Sequence, residues 1–177
     1  LKRPNTIEDL KSLALFWESV SNQDRARFSD NVLKKLFILN YAPNGMWQHI
    51  TSVYFLQYKT DDGLLSDAEF GKFLDKITAF IFVYAITNPG VNALRTPVYD
   101  EMVNIVNGGE VKFSKYKFNN TQARTSFENY VFTNQRNATR SIITWYAYTF
   151  SEQALLGLNE SFHLEHIYPK KRQQMER

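Results

Sequence analysis

Residues 66–90 read SDAEFGKFLDKITAFIFVYAITNPG, and the length of the element they encode sets the character of the whole chain. Ser66 followed three positions later by Glu69 is the capping-box spacing, in which a hydroxyl and a carboxylate satisfy free N–H groups of a helix's first turn. The spacing predicts a long helix from there through Ile86. Asn88-Pro89-Gly90 ends it, because proline has no amide hydrogen to continue the ladder. The apolar run Ile77–Ile86, ITAFIFVYAI, falls far short of the roughly 20 residues that cross a bilayer, so it predicts a helix segment buried in protein.

The flanking sequence reads the same way. Thr6 with Asp9 opens a helix on which Leu10, Leu13, Ala14 and Trp17 share a face. Ser21 or Asn22 is expected to cap a second helix, with Phe28, Val32, Leu36 and Phe37 apolar. NYAPNG, residues 40–45, is turn chemistry, and a third helix runs from Met46 to Tyr58 with Trp47, Ile50, Tyr54 and Tyr58. Val91–Asn107 is expected to be helical, with Pro97 either interrupting it or opening a new helix behind Thr96. VKFSKYKF, residues 111–118, loosely alternates and predicts either a short strand or an extended loop. Thr121 opens a helix toward Phe132, and Asn137 or Thr139 opens another with Ile142, Ile143, Tyr146 and Phe150 in line. The expected fold is mainly α, a multi-helix bundle over residues 1–155, with a different kind of structure from 156 to 177.

Composition agrees. With only 7 Gly and 5 Pro the chain has too few turn residues for a many-stranded sandwich. Its 14 Phe, 10 Tyr and 3 Trp supply large buried areas per contact, enough for a few rings to join several helices. There is no cysteine, which excludes disulfides and thiolate zinc sites and leads to the expectation of a reducing, cytoplasmic setting. The last eight residues, KKRQQMER, hold four basic and one acidic residue and so account for the whole net charge of +3. The rest of the chain is balanced, and attraction for phosphate is expected only at the C-terminal end. The chain starts at Leu1 rather than Met and stops within a charged run, which leads to the expectation of a piece of a longer protein.

Two of the three histidines, His163 and His166, fall in FHLEHIYPKK, residues 162–171. An imidazole titrates near neutrality and can take a proton from water. Phosphodiester hydrolysis also needs charge stabilisation, which a divalent cation on oxygen ligands supplies. Glu165 is the neighbouring carboxylate, Pro169 stops strand pairing just beyond, and Lys170, Lys171 and Arg172 sit where a phosphate backbone would arrive. On a helix His163 would share a face with His166 and could chelate metal; on a strand their odd spacing separates them. The zincin pattern is absent, and the H-x-E deaminase signature lacks its cysteines. His49 has no acidic partner nearby in sequence and receives no role.

The run Glu165-His166-Ile167-Tyr168-Pro169 resembles the opening of the HNH, or His-Me finger, nuclease motif. The version it is most similar to is the C-terminal nuclease module of the GmrSD-type, type IV restriction endonucleases. In that family a ParB-like N-terminal domain is followed by a helical region and then the nuclease module. The resemblance implies that His166 is the general base and that Glu165, with His163 as a further candidate, binds a divalent metal, Mg or Mn. It implies that residues 156–177 are the truncated start of a ββα-type finger. DNA would be the substrate, cut in restriction of foreign or phage DNA, and the ParB-like domain and the rest of the module would be partners. The family's D-G-Q-Q-R run is absent, so nucleotide hydrolysis is not expected of this piece. The 11 residues after His166 contain no Asn, His or Asp, and Glu176 is their only carboxylate. The chain alone is therefore expected to carry half a site and to be inactive. The competing expectation is a non-catalytic helical adaptor, or a nucleic-acid-binding module with a basic C-terminal tail.

Overall fold

A computed structural model describes residues 6–88, 90, 92–132 and 137–160. Among these residues the chain forms α-helices and no strand: α1 (Thr6–Ser21), α2 (Asp30–Asn40), α3 (Met46–Tyr58), α4 (Asp67–Thr87), α5 (Arg95–Val106), α6 (Asn120–Glu128) and α7 (Asn137–Ala147). The expected mainly α bundle is the architecture observed. Helix α4, the longest, packs on α2 and carries α6; α2 also receives α7, while α3 lies between α1 and α5. No described helix is long and apolar enough to cross a membrane.

The start of α4 falls where the sequence places it, but by different bonds. Ser66 stands at the N-cap position without a side-chain cap bond, and Glu69 pairs with Lys72 at 2.7 Å instead of reaching back. Asp67 does the joining: its carboxylate accepts from the Ser29 amide at 3.0 Å and from the Ser29 hydroxyl at 2.6 Å. Ser29 in turn caps α2, its Oγ accepting from the Val32 amide at 3.3 Å. One serine and one aspartate thus tie the N-termini of α2 and α4 together. Helix α2 therefore begins at Asp30, not behind Ser21 or Asn22, and the intervening residues turn so that Phe28 enters the core. Farther along, Lys35 reaches over Gly71 to that residue's carbonyl at 3.2 Å and to Asp75 at 2.7 Å.

The core is aromatic. Phe16 of α1 is fully buried, stacks on Phe55 of α3 at 4.4 Å, and meets Phe28 and Phe70 edge-on at 5.9 and 6.0 Å. Such offset and edge contacts suit the ring quadrupoles. Tyr54 stacks on Phe73 at 3.9 Å, and Trp17 meets Trp47 at 5.4 Å while its indole N–H donates to Ser52 at 3.0 Å. The Arg27 guanidinium lies over Phe16, Phe28 and Phe55 at 5.9–6.0 Å and donates to the Gly63 carbonyl, closing the cluster from the solvent side.

Helix α5 is one helix from Arg95, with Pro97 in its first turn, where a missing N–H costs nothing. Residues 111–118 are irregular backbone, not a strand. Their ordering comes from Glu101, a buried carboxylate on α5. Its Oε1 accepts from the Lys112 amide at 3.0 Å and from Asn104 Nδ2 at 2.7 Å, and its Oε2 accepts from the Phe113 amide at 2.9 Å. The side chain occupies the place of a neighbouring strand. Phe113 takes a positive φ of 46° to keep this geometry and stacks flat on Phe80 at 3.7 Å.

Two outcomes follow from these contacts. Glu101→Gln turns one acceptor into a donor facing an N–H and is expected to cost about 1–3 kcal/mol; urea unfolding should show a lower midpoint at unchanged slope, and an unchanged midpoint would remove Glu101 from this role. Hydrogen bonds from Lys76 and then Lys112 hold the exposed Glu110 carboxyl down at about 2, against an ordinary 4.5. Its folded value is depressed, so the contribution is present above the ordinary value and lost as pH falls through about 2. An NMR titration of Glu110 is expected to show that low midpoint and to move upward in Lys76→Ala.

Candidate functional site

The approach to the histidine segment is built where α1 ends. Gln23 N donates to Val20 O at 3.1 Å and Asp24 N to Ser19 O at 2.9 Å. These two bonds are the Schellman pattern, and Gln23 occupies its left-handed position with φ 49°. Glycine usually fills that position because a Cβ there is strained. Here the side chain has a use. Gln23 Nε2 donates to the Leu156 carbonyl at 2.8 Å, and its Oε1 accepts from the Leu158 amide at 3.1 Å. One side-chain amide thus grips residues 156 and 158 as a paired strand would.

Tyr148, directly after α7, supplies the other side of the grip. The Tyr148 hydroxyl accepts from the Leu156 amide at 3.1 Å. Its ring lies 6.0 Å from Phe37 of α2, with Lys34 over its face at 5.3 Å. Burial pushes the Tyr148 phenol above its ordinary 10.0, against the Leu156 N–H, which draws it down. The phenol stays protonated and neutral at physiological pH. Leu158 lines a small cavity of about 20 Å³ together with Val20, Leu33 and Trp47. Gly157 and Glu160 then form a turn, with Glu160 N bonded to Gly157 O at 3.1 Å and Gly157 N to the Glu160 carboxylate at 3.2 Å.

Helix α7 is hydrogen-bonded to α2 through Ser141, and its Ala138 and Trp145 pack against the core. Ser141 is buried and donates to the Ile38 carbonyl at 2.9 Å, and Thr139 and Thr144 are buried on the same helix. Of the expected apolar line Ile142 is half-buried, whereas Ile143 is 38% exposed, Tyr146 67% and Phe150 51%. The correction has a physical reason. Ser141 satisfies an α2 carbonyl, which an apolar side chain at that position cannot do.

His163, Glu165, His166, Lys170, Lys171 and Arg172 all lie outside the described residues, as does the strand expected over FHLEHI. The structure therefore fixes the route toward them as far as Glu160. His49 is exposed on α3. Among the described residues no group of three or more His, Asp or Glu side chains is placed to hold a metal ion. Gln23 and Tyr148 escaped the sequence reading. The one signal was a helix closing at Ser21-Asn22 without a glycine to take the left-handed turn.

No family model, curated protein or solved structure matches this chain.

Gln23→Ala removes two hydrogen bonds and keeps the left-handed strain, with an expected loss of about 1–3 kcal/mol. Gln23→Gly removes the same bonds but relieves the strain, so it is expected to be milder by about 1 kcal/mol. Thermal unfolding of the two variants checks the order; a neutral Gln23→Ala would show that the clamp contributes nothing.

Proposed function

We propose that this chain is the helical mount and the first part of an HNH-type nuclease acting on DNA. The observation that carries the reading is the run Glu165-His166-Ile167-Tyr168-Pro169 followed by Lys170, Lys171 and Arg172. It combines a base that titrates near neutrality, an adjacent carboxylate and a cationic stretch, the three components that phosphodiester hydrolysis uses. The clamp by Gln23 and Tyr148 supports it, because a general base works only when held within hydrogen-bond reach of the water it activates. Five residues lie between Glu160 and His166, so chain length alone keeps the two within about 20 Å.

In this reading His166 takes the proton of the attacking water as oxygen bonds to phosphorus and the opposite ester bond breaks. Glu165, with His163 as a further ligand, would hold a divalent cation, Mg or Mn, which when bound supplies charge stabilisation for the phosphoryl oxygens. Lys170, Lys171 and Arg172 draw the phosphate backbone to the site. The remaining ligand comes from chain beyond the motif, and the reading assigns the 177-residue chain no cleavage by itself. A second reading, a helical adaptor without chemistry, is favoured by the outward-facing Ile143, Tyr146 and Phe150 of α7.

The test uses the natural full-length protein. His166→Ala is expected to lower metal-dependent DNA cleavage by at least about 100-fold while circular dichroism and melting stay unchanged. Cleavage retained at the wild-type rate would reject His166 as the base and favour the adaptor.

A further inference from the structure

On the face of the bundle formed by the end of α4 and the start of α6, residues 115–119 border an open cleft of about 250 Å³. Its walls bring together three kinds of group. Tyr84, Tyr116 and Phe118 supply rings, with Tyr84 and Tyr116 meeting edge-on at 5.9 Å and Phe118 lying 6.3 Å from Tyr84. Asn88, Asn119 and Gln122 supply amides, and Lys115 and Lys117 supply charge.

The hydrogen-bonding capacity left open in the cleft is specific. Asn119 uses its Oδ1 to accept from the Gln122 amide at 3.1 Å, which leaves its Nδ2 to donate. Asn88 donates through Nδ2 to Tyr84 O and Thr87 Oγ1, which leaves its Oδ1 to accept. Lys115 is neutralised by Asp100 at 3.3 Å, and the same carboxylate accepts from the Tyr116 hydroxyl at 3.0 Å and holds that ring in place. Among the described residues Lys117 has no ion-pair partner. The cleft thus offers ring surface, at least one donor and one acceptor at its edges, and one uncompensated cation.

We propose that this cleft binds a nucleoside phosphate, either as a free nucleotide or as one residue of a single strand. Aromatic side chains stack on any base, side-chain amides pair with base edges, and lysine holds phosphate as a point charge. The volume is near the roughly 300 Å³ at which small-ligand pockets begin, and the cleft is open to solvent, so it can hold a base with the sugar and phosphate at its rim. The inference stands independently of the nuclease reading and involves none of its residues.

The test titrates the full chain with dAMP and, separately, with a deoxyadenylate strand of about ten nucleotides, a length that spans one such site, and follows backbone amide shifts by NMR. Saturable shifts are expected at Tyr84, Asn88, Lys117 and Gln122. Lys117→Ala and Gln122→Ala alter exposed side chains and keep the fold; each is expected to weaken dAMP binding at least about fivefold, whereas Lys11→Ala on α1 leaves it unchanged. Tighter binding of the strand than of dAMP, equally sensitive to Lys117→Ala, assigns the site to single strands, and equal affinity assigns it to free nucleotides. Absence of saturable shifts at the cleft with both probes, or binding indifferent to Lys117→Ala, overturns the proposal.

Discussion

The buried ring of Phe16 touches Phe55 on α3, Phe70 on α4 and Phe28 in the turn after α1. Three helices and a turn far apart in sequence therefore share one contact, and the order of packing depends on it. The entropy of ordering so many residues is large, and a single ring that joins its own helix to three other segments offsets it with few side chains. The position of Phe28 in this cluster also delays the start of α2. The chain must turn inward after α1 before a new helix can begin, so the Schellman closure at Gln23, the inward Phe28 and the Ser29 cap form one connected device.

Irregular backbone in this protein is ordered by side chains that stand in for strands. Glu101 accepts the two amides of residues 112 and 113, and Gln23 takes one carbonyl and one amide from residues 156 and 158. Buried backbone polar groups need partners, and a bundle with no sheet edge among its described residues supplies them from the Glu101 carboxylate on α5 and the Gln23 amide in the turn after α1. The first of these anchors orders the loop that borders the aromatic and cationic cleft. The second anchors the approach to the histidine segment. The loop beside the cleft therefore depends on Glu101, and the approach to the histidine segment on Gln23 together with Tyr148.

The helices were largely legible. The bounds of α3 and α4 follow from turn residues and from the long apolar run, because local capping and breaking chemistry decides them. The capping box at Ser66 illustrates the limit: the boundary is right, yet the bonds differ, because Asp67 finds a partner in Ser29 far away in sequence. The face of α7 was misread because periodicity counts apolar side chains, whereas Ser141 won its place by bonding the Ile38 carbonyl. Of the candidate site, the chemistry of Glu165 and His166 can be read from residue types alone. Gln23 and Tyr148 could not be found that way, since nothing local in either residue announces a partner more than a hundred positions away, or a hydroxyl aimed at a passing amide.

Residues 156–158 belong to the helical body, bonded to it through Gln23 and Tyr148, and are not a loose tail beyond it. Native-state hydrogen exchange at the Leu156 and Leu158 amides tests this most directly, because each N–H has a single named acceptor, Tyr148 Oη and Gln23 Oε1 respectively. Both amides are predicted to exchange slowly, with protection approaching that of the α2 core amides. Exchange at the rate of an unstructured chain would contradict the account and leave the motif without a mount.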